Sequence, residues 1–238
     1  MSATESPTAE RFQQAFAHLE NYGPGSGRGA LQPIDDAVAA AARDETLRAG
    51  LEKRLVALLR GKAPAVAKDY ACGKLAILGG PAAVPALAEL LTTETLAHAA
   101  TNALQLMPCP EAGAALRASL EKLSGLPLAG ALTALGMRRD PTAATQLAAF
   151  LGHADPVVAA AAVAALGEIG TPATGATLRE FLPKAPAALR SALADACLAC
   201  AERLKAAGDL VAGRSLLDAL LEASPPEHVR AAARRIAS

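Results

Sequence analysis

Aromatic residues are scarce in this sequence: they make up 3% of its 238 residues, and tryptophan is absent. Aromatic and β-branched side chains favour strands, whereas alanine and leucine, which dominate here, favour helices. The composition argues against a β-sandwich, a β-barrel or a large parallel sheet. A core built from Ala and Leu requires helices that lie close together, because small side chains cannot fill wide gaps. The sequence predicts an all-α protein.

An excess of charge of either sign is also missing, since 23 basic residues balance 23 acidic ones. Nucleic-acid-binding proteins normally carry a basic excess, because contacts to phosphates supply much of their affinity. We therefore expect no nucleic acid partner. The longest uncharged stretches, 95–110 and 123–137, are too short to span a membrane, and no signal sequence is visible. We expect no membrane insertion and a cytoplasmic location, with the periplasm as the alternative if a signal has been removed.

Cysteine is too rare for a disulfide scaffold, with four residues in the whole chain. Cys197 and Cys200 form a Cys-x-x-Cys pair inside a helical pattern. No second pair completes a four-ligand zinc site, and no strand precedes the pair as in thioredoxin-like proteins. We interpret both as buried, reduced thiols. The sequence predicts no metal site, no cofactor and no catalytic residue.

Internal repeats are the strongest signal in the sequence. Four dipeptides, each closing an Ala-rich stretch, recur at intervals of 28, 29 and 31 residues: Leu78-Gly79, Leu106-Met107, Leu135-Gly136 and Leu166-Gly167. A short turn and a second apolar stretch follow each of them. This period matches two short antiparallel helices, which bury their apolar faces only when successive pairs stack.

The clearest unit begins at Asp155, which can cap a helix whose first residue is Pro156. Apolar residues then recur at three- and four-residue steps, as on one face of a helix. Gly167 and Gly170 are predicted to weaken and end this helix, and Thr171-Pro172 to begin the next.

Further helices are predicted by the same periodicity. Their expected ranges are 8–20, 44–60, 65–78, 186–207, 209–222 and 226–237. Asp35-Asp36 and Asp44-Glu45 are expected to stabilise helix N-termini. The segment 21–33 contains a Gly-x-Gly-x-x-Ala spacing, but no strand precedes it, so we interpret it as a loop. We predict an N-terminal cap of residues 1–33 and one continuous repeat domain of residues 34–238.

The repeat resembles a known family. The pattern of Pro156-Val157-Val158, Ala161, Ala165-Leu166-Gly167 and Ile169-Gly170 is similar to a bacterial HEAT repeat of the PBS-lyase HEAT-like type. The resemblance covers about 35–238. It implies a HEAT/armadillo-like α-solenoid, a right-handed superhelix of stacked antiparallel helix pairs with an extended concave surface for binding other proteins.

Few polar residues are candidates for contacts on such a surface. The candidate partner-binding residues are Arg138, Arg139, His98, Arg230 and Arg234. Arg138 and Arg139 lie in a predicted turn, where their guanidinium groups could bind a carboxylate or phosphate. The alternative is a solvated turn in which Asp140 caps the next helix. Arg230 and Arg234 could instead complement a helix dipole.

Two functions remain open. The leading prediction is a non-enzymatic scaffold that binds a protein partner on its concave face. The alternative, implied by the PBS-lyase resemblance, is a tetrapyrrole lyase or chaperone acting through His98, Cys109 or Cys72 in the groove. The low aromatic content argues against a large planar ligand. The last predicted helix shows no recognisable polar cap, so we expect its outer side to contact further repeats or a partner.

Overall fold

Helices form all the regular secondary structure in the part of the chain that the structure describes. The computed structural model describes residues 7–23 and 25–237, and it contains no strand among them. The helices are α1 Pro7–Glu20, α2 Gln32–Ala40, α3 Glu45–Arg60, α4 Ala65–Leu78, α5 Val84–Leu90, α6 Ala97–Leu106, α7 Pro110–Ser119, α8 Gly125–Met137, α9 Ala144–Ala148, α10 Pro156–Ile169, α11 Pro172–Phe181, α12 Arg190–Ala206, α13 Leu210–Glu222 and α14 Glu227–Ala237. The all-α prediction is confirmed.

The helices group into two compact units, one up to Ala115 and one from Leu116 onward, so the division falls inside α7. The predicted cap boundary after residue 33 falls inside α2. One continuous repeat domain over 34–238 stays a prediction. Within residues 7–23 and 25–237, none of the helices combines the length and apolar character needed to cross a membrane.

In the first unit, α3 packs on α4, and α4 packs on α6. Polar side chains of α3 also bind the backbone around the turn between α4 and α5. Glu52 accepts hydrogen bonds from the N–H groups of Gly80 at 2.8 Å and Ala83 at 3.1 Å, and Arg48 donates to the carbonyl of Leu78 at 2.8 Å. The bonds to Gly80 and Leu78 satisfy backbone groups at the helix ends, and the N–H of Ala83 also donates to the carbonyl of Gly80 at 3.1 Å.

In the second unit, α8 packs on α10, and α10 packs on α12. The helices approach most closely at two of the repeated glycines. A Cβ added to Gly136 would lie 2.6 Å from Cα of Ala165, and one added to Gly167 would lie 2.7 Å from the carbonyl oxygen of Ala196. Gly167 therefore lies inside α10 and permits close packing, so the prediction that it weakens and ends the helix was wrong.

Helix ends in this unit follow the predicted capping pattern. The Asp155 carboxylate accepts from the N–H of Val157 at 2.9 Å, and Thr171 forms a reciprocal capping box with Thr174. Gly170 ends α10 in the left-handed conformation, with φ of 62°. These three predictions are confirmed. α12 begins at Arg190, later than the expected residue 186, because a separate 3₁₀ turn, Ala187–Leu189, precedes it.

The last helix, α14, has a strongly two-sided surface. Val229, Ala233 and Ile236 are buried, and α14 packs on α12 and α13. Arg234 and Arg235 are exposed on the other side. α14 therefore has a polar outer face, and the expectation that this side contacts further repeats or a partner stays a prediction.

Candidate functional site

The predicted turn at Arg138 and Arg139 is present at the end of α8. Arg138 is the C-terminal cap residue, and its N–H donates to the carbonyl of Ala134 at 2.9 Å. The N–H of Arg139 donates to the carbonyl of Gly136 at 2.8 Å, and the N–H of Asp140 donates to the carbonyl of Leu135 at 3.2 Å. This is the hydrogen-bond pattern of a Schellman-type helix end, which places one residue in the left-handed region.

Arg139 is that residue, with φ of 51°. The corresponding turn after α12 uses Gly208, with φ of 84°, followed by the same bond, from the N–H of Asp209 to the carbonyl of Leu204 at 2.9 Å. The turn after α10 uses Gly170. A side chain other than glycine in this conformation costs about 1 kcal/mol, because its Cβ crowds the following carbonyl oxygen. The turn after α8 therefore carries an arginine where glycine would be more stable.

The side chains around Arg139 form an exposed and mixed surface. Met137 is 55% exposed, Arg139 is exposed and Arg138 is half-buried. The Asp140 carboxylate already has partners, since it forms an ion pair with Arg117 and accepts from the N–H of Thr142 at 3.0 Å. Within the described residues, the guanidinium of Arg139 makes no hydrogen bond or ion pair. We call Met137, Arg138 and Arg139 the α8 turn site.

The other predicted contact residues lie elsewhere. His98 is exposed at the second position of α6, in the first unit. Arg230 and Arg234 lie one turn apart on α14, and Arg230 donates to the Glu227 carboxylate at 2.8 Å through its Nε. α14 packs on α12 and α13, whereas α8 packs on α10. Arg138 and Arg139 therefore lie together at the end of α8, and Arg230 and Arg234 lie together on α14. The two pairs are on different helices.

Three of the four thiols are buried, and their burial raises their pKa values. Cys72, Cys197 and Cys200 are buried, and burial raises the pKa of Cys72 and of Cys197 to about 12. Burial raises the pKa of Cys200 as well, against the opposing effect of a contact with the hydroxyl of Thr174. Because the thiolate is the reactive form and the metal ligand, a raised pKa disfavours both reaction and metal binding at Cys72, Cys197 and Cys200. Among the described residues, no group of three or more potential ligands could hold a metal ion.

Met137 adjoins the turn that the sequence predicts, but the sequence did not indicate that its side chain is exposed. The preceding residue, Gly136, is buried against α10, and one step along a helix turns the next side chain by about 100° toward solvent. The exposure of the Met137 side chain could be inferred only once the face of α8 that packs on α10 was known. The strain at Arg139 had no sequence signal either, because φ is not encoded by the residue type alone.

Stacked helix pairs of this kind define an all-α solenoid. The family model described as HEAT repeats matches residues 114–199, the segment that contains α8 to α11, the α8 turn site and the first half of α12. Over this segment the chain is similar to HEAT repeats, and the finer PBS-lyase type stays a prediction. No curated protein matches the chain.

Proposed function

We propose that the protein is a non-enzymatic scaffold that binds an acidic segment of a partner protein through the α8 turn site. The observation that carries this proposal is Arg139 in the left-handed conformation, where related turns of the chain have glycine. Backbone strain concentrates at functional positions, because selection retains it only where the side chain is needed. HEAT repeats are also a common framework for protein interaction.

The chemistry of the site indicates the partner. The planar guanidinium groups of Arg138 and Arg139 match the two oxygens of a carboxylate, and Arg139 has no carboxylate bound within the described chain. Met137 adds a flexible apolar side chain that adapts to different surfaces. Arginine and methionine are both enriched in protein interfaces. A glutamate- or aspartate-rich segment with an adjacent apolar residue fits this surface.

Affinity capture from the source organism, comparing the wild type with Arg139→Gly, tests the proposal. Arg139→Gly removes the guanidinium and relieves the strain, so we expect the variant to be about 1 kcal/mol more stable in urea. We expect it to retain at least about tenfold less of the specific partner, since a lost charge-assisted contact costs roughly 1.5–3 kcal/mol. Loss of binding without loss of stability separates a contact residue from a structural one.

Charge reversal gives the matched control. Arg138→Glu with Arg139→Glu should abolish capture of an acidic partner, whereas Lys53→Glu with Arg60→Glu, two exposed changes on α3, should leave it unchanged. Equal capture by the wild type and both Arg139 variants would contradict the proposed site. If capture of the partner depends instead on Arg230 and Arg234, the partner contacts α14 and not the α8 turn site.

A further inference from the structure

A second surface in the second unit is a cleft of about 490 Å³ near the starts of α12 and α14. Its walls come from four places: the end of α11, the first turn of α12, the turn after α13 and the first turn of α14. The lining residues include Leu182, Pro183, Leu193, Leu220, Pro225 and Val229. We call this the proline cleft. Its volume falls in the range of about 300–1,000 Å³ that is typical of small-molecule sites.

The walls of the proline cleft are preformed. Pro183, Pro225 and Pro226 line it, and proline fixes one of the two backbone dihedrals of each residue. Ser224, at the turn, is in the left-handed conformation with φ of 54°. It is the second non-glycine residue, after Arg139, that the described chain holds in this strained region. A rigid cleft loses little conformational entropy when a ligand enters, and this favours binding.

The cleft is lined by one cationic side chain, that of Arg190, and no carboxylate is among the lining residues. Arg190 is exposed, and its side chain makes no hydrogen bond or ion pair within the described part of the chain. Glu227, which adjoins the lining residues Pro226 and His228 in sequence, accepts from Arg230. An apolar cleft with a cation at its edge complements a ligand with an apolar body and one negative charge.

We infer that the proline cleft binds an alkyl carboxylate, with the hydrocarbon chain against the accessible lining residues Leu182, Pro183 and Pro226 and the carboxylate at Arg190. The hydroxyls of Ser191 and Ser224, which also line the cleft, are available as further donors to the carboxylate. A ten-carbon chain is short enough for this volume and contains enough apolar surface to gain from burial. The site is independent of the α8 turn site and of its protein partner.

Calorimetric titration with decanoate, decan-1-ol and decylammonium tests the inference on the full chain. We expect saturable binding of decanoate with Kd below about 1 mM, and binding of decylammonium at least about tenfold weaker. In an amide-resolved NMR spectrum, decanoate should shift signals of residues 190–194 and 223–229. No saturable binding of decanoate, or equal binding of all three compounds, would overturn the inference.

Three variants locate the binding. Arg190→Gln should weaken decanoate binding at least about fivefold and leave decan-1-ol unaffected. Ala223→Phe, an exposed position on the cleft wall, should block all three compounds. Lys184→Gln, an exposed cation next to the lining residue Pro183, should change nothing. Each variant is first compared with the wild type in thermal unfolding, and an unchanged decanoate Kd in folded Arg190→Gln would refute the role of the arginine.

Discussion

At the scale of single residues, two glycines show why Leu-Gly dipeptides recur in the sequence. Gly136 and Gly167 occupy equivalent positions in α8 and α10, and each faces the backbone of the next helix in the stack. The neighbouring residues at these contacts, Ala165 and Ala196, are also small. Close approach of helices therefore accounts for the glycines of Leu135-Gly136 and Leu166-Gly167 and for the alanines that face them.

Gly167→Ala should destabilise the protein by about 1–3 kcal/mol, because the added Cβ would lie within 3 Å of the backbone of Ala196, which cannot move without displacing α12. Gly73→Ala is the matched control. Gly73 is also inside a helix but exposed, with no atom within 4 Å of the added Cβ, so it should stabilise by about 0.5–1 kcal/mol. Urea unfolding of the two variants should show shifts of opposite sign.

For single residues, the sequence predicted the backbone conformation better than it predicted which residues of other helices they contact. Asp155, Thr171 and Gly170 act at helix ends as expected, since a cap depends on residues within a few positions of one another. Gly167 was interpreted as a helix-weakening residue because its actual neighbour, Ala196, lies far along the chain. A long-range contact has no local signature.

At the scale of helices, polar contacts between side chains of different helices hold the helices together. α2 is attached to α4 through the Asp35 carboxylate, which accepts from the Tyr70 hydroxyl at 2.6 Å and forms an ion pair with Lys74 at 2.6 Å. Asp35 lies in the first turn of α2, the position expected for stabilising a helix start, and the structure adds this cross-helix role. Asp44 caps α3 as expected and accepts from the N–H of Leu47 at 2.9 Å.

The Asp35 contacts should make stability depend on pH at the acid side. Burial alone would raise the pKa of Asp35, but the bonds from Lys74 and Tyr70 outweigh it and hold the pKa below its ordinary value. Stabilisation from a lowered carboxyl pKa is fully present above the unfolded-state pKa of about 3.9 and is lost as the pH falls through the folded-state value. We expect urea midpoints to fall as the pH is lowered from about 6 to about 3.

Asp35→Asn should remove part of this pH dependence, since the amide does not titrate. Asp69→Asn, an exposed change on α4, serves as the control and should keep the wild-type slope. An identical slope for Asp35→Asn and the wild type would show that the Asp35 contacts do not contribute to acid sensitivity.

The whole molecule combines a helical framework with balanced charge. Its 23 basic and 23 acidic residues leave no net charge, and many of these residues are engaged locally, as in the pairs Arg117–Asp140 and Glu168–Arg203. A framework of this composition is suited to local, specific contacts, because it generates no strong long-range field.

Duplex DNA should bind only weakly, with Kd above about 10⁻⁴ M at physiological salt, because no excess of cations exists to displace the counterions of the phosphates. Fluorescence anisotropy of a labelled duplex over a range of salt concentrations measures this. Tight binding that weakens steeply with added salt would contradict the expectation and would indicate a basic surface formed by folding.

By itself the sequence determined the helices, most of their ends and the repeated stacking unit, because these depend on periodicity and capping over a few neighbouring residues. Only the tertiary structure decided which glycines lie between helices, that α14 has a polar outer face, and that Asp35 binds Tyr70 and Lys74. It also decided the strain at Arg139 and the proline cleft. These features bring together residues from different helices, and their geometry exists only after the helices have packed.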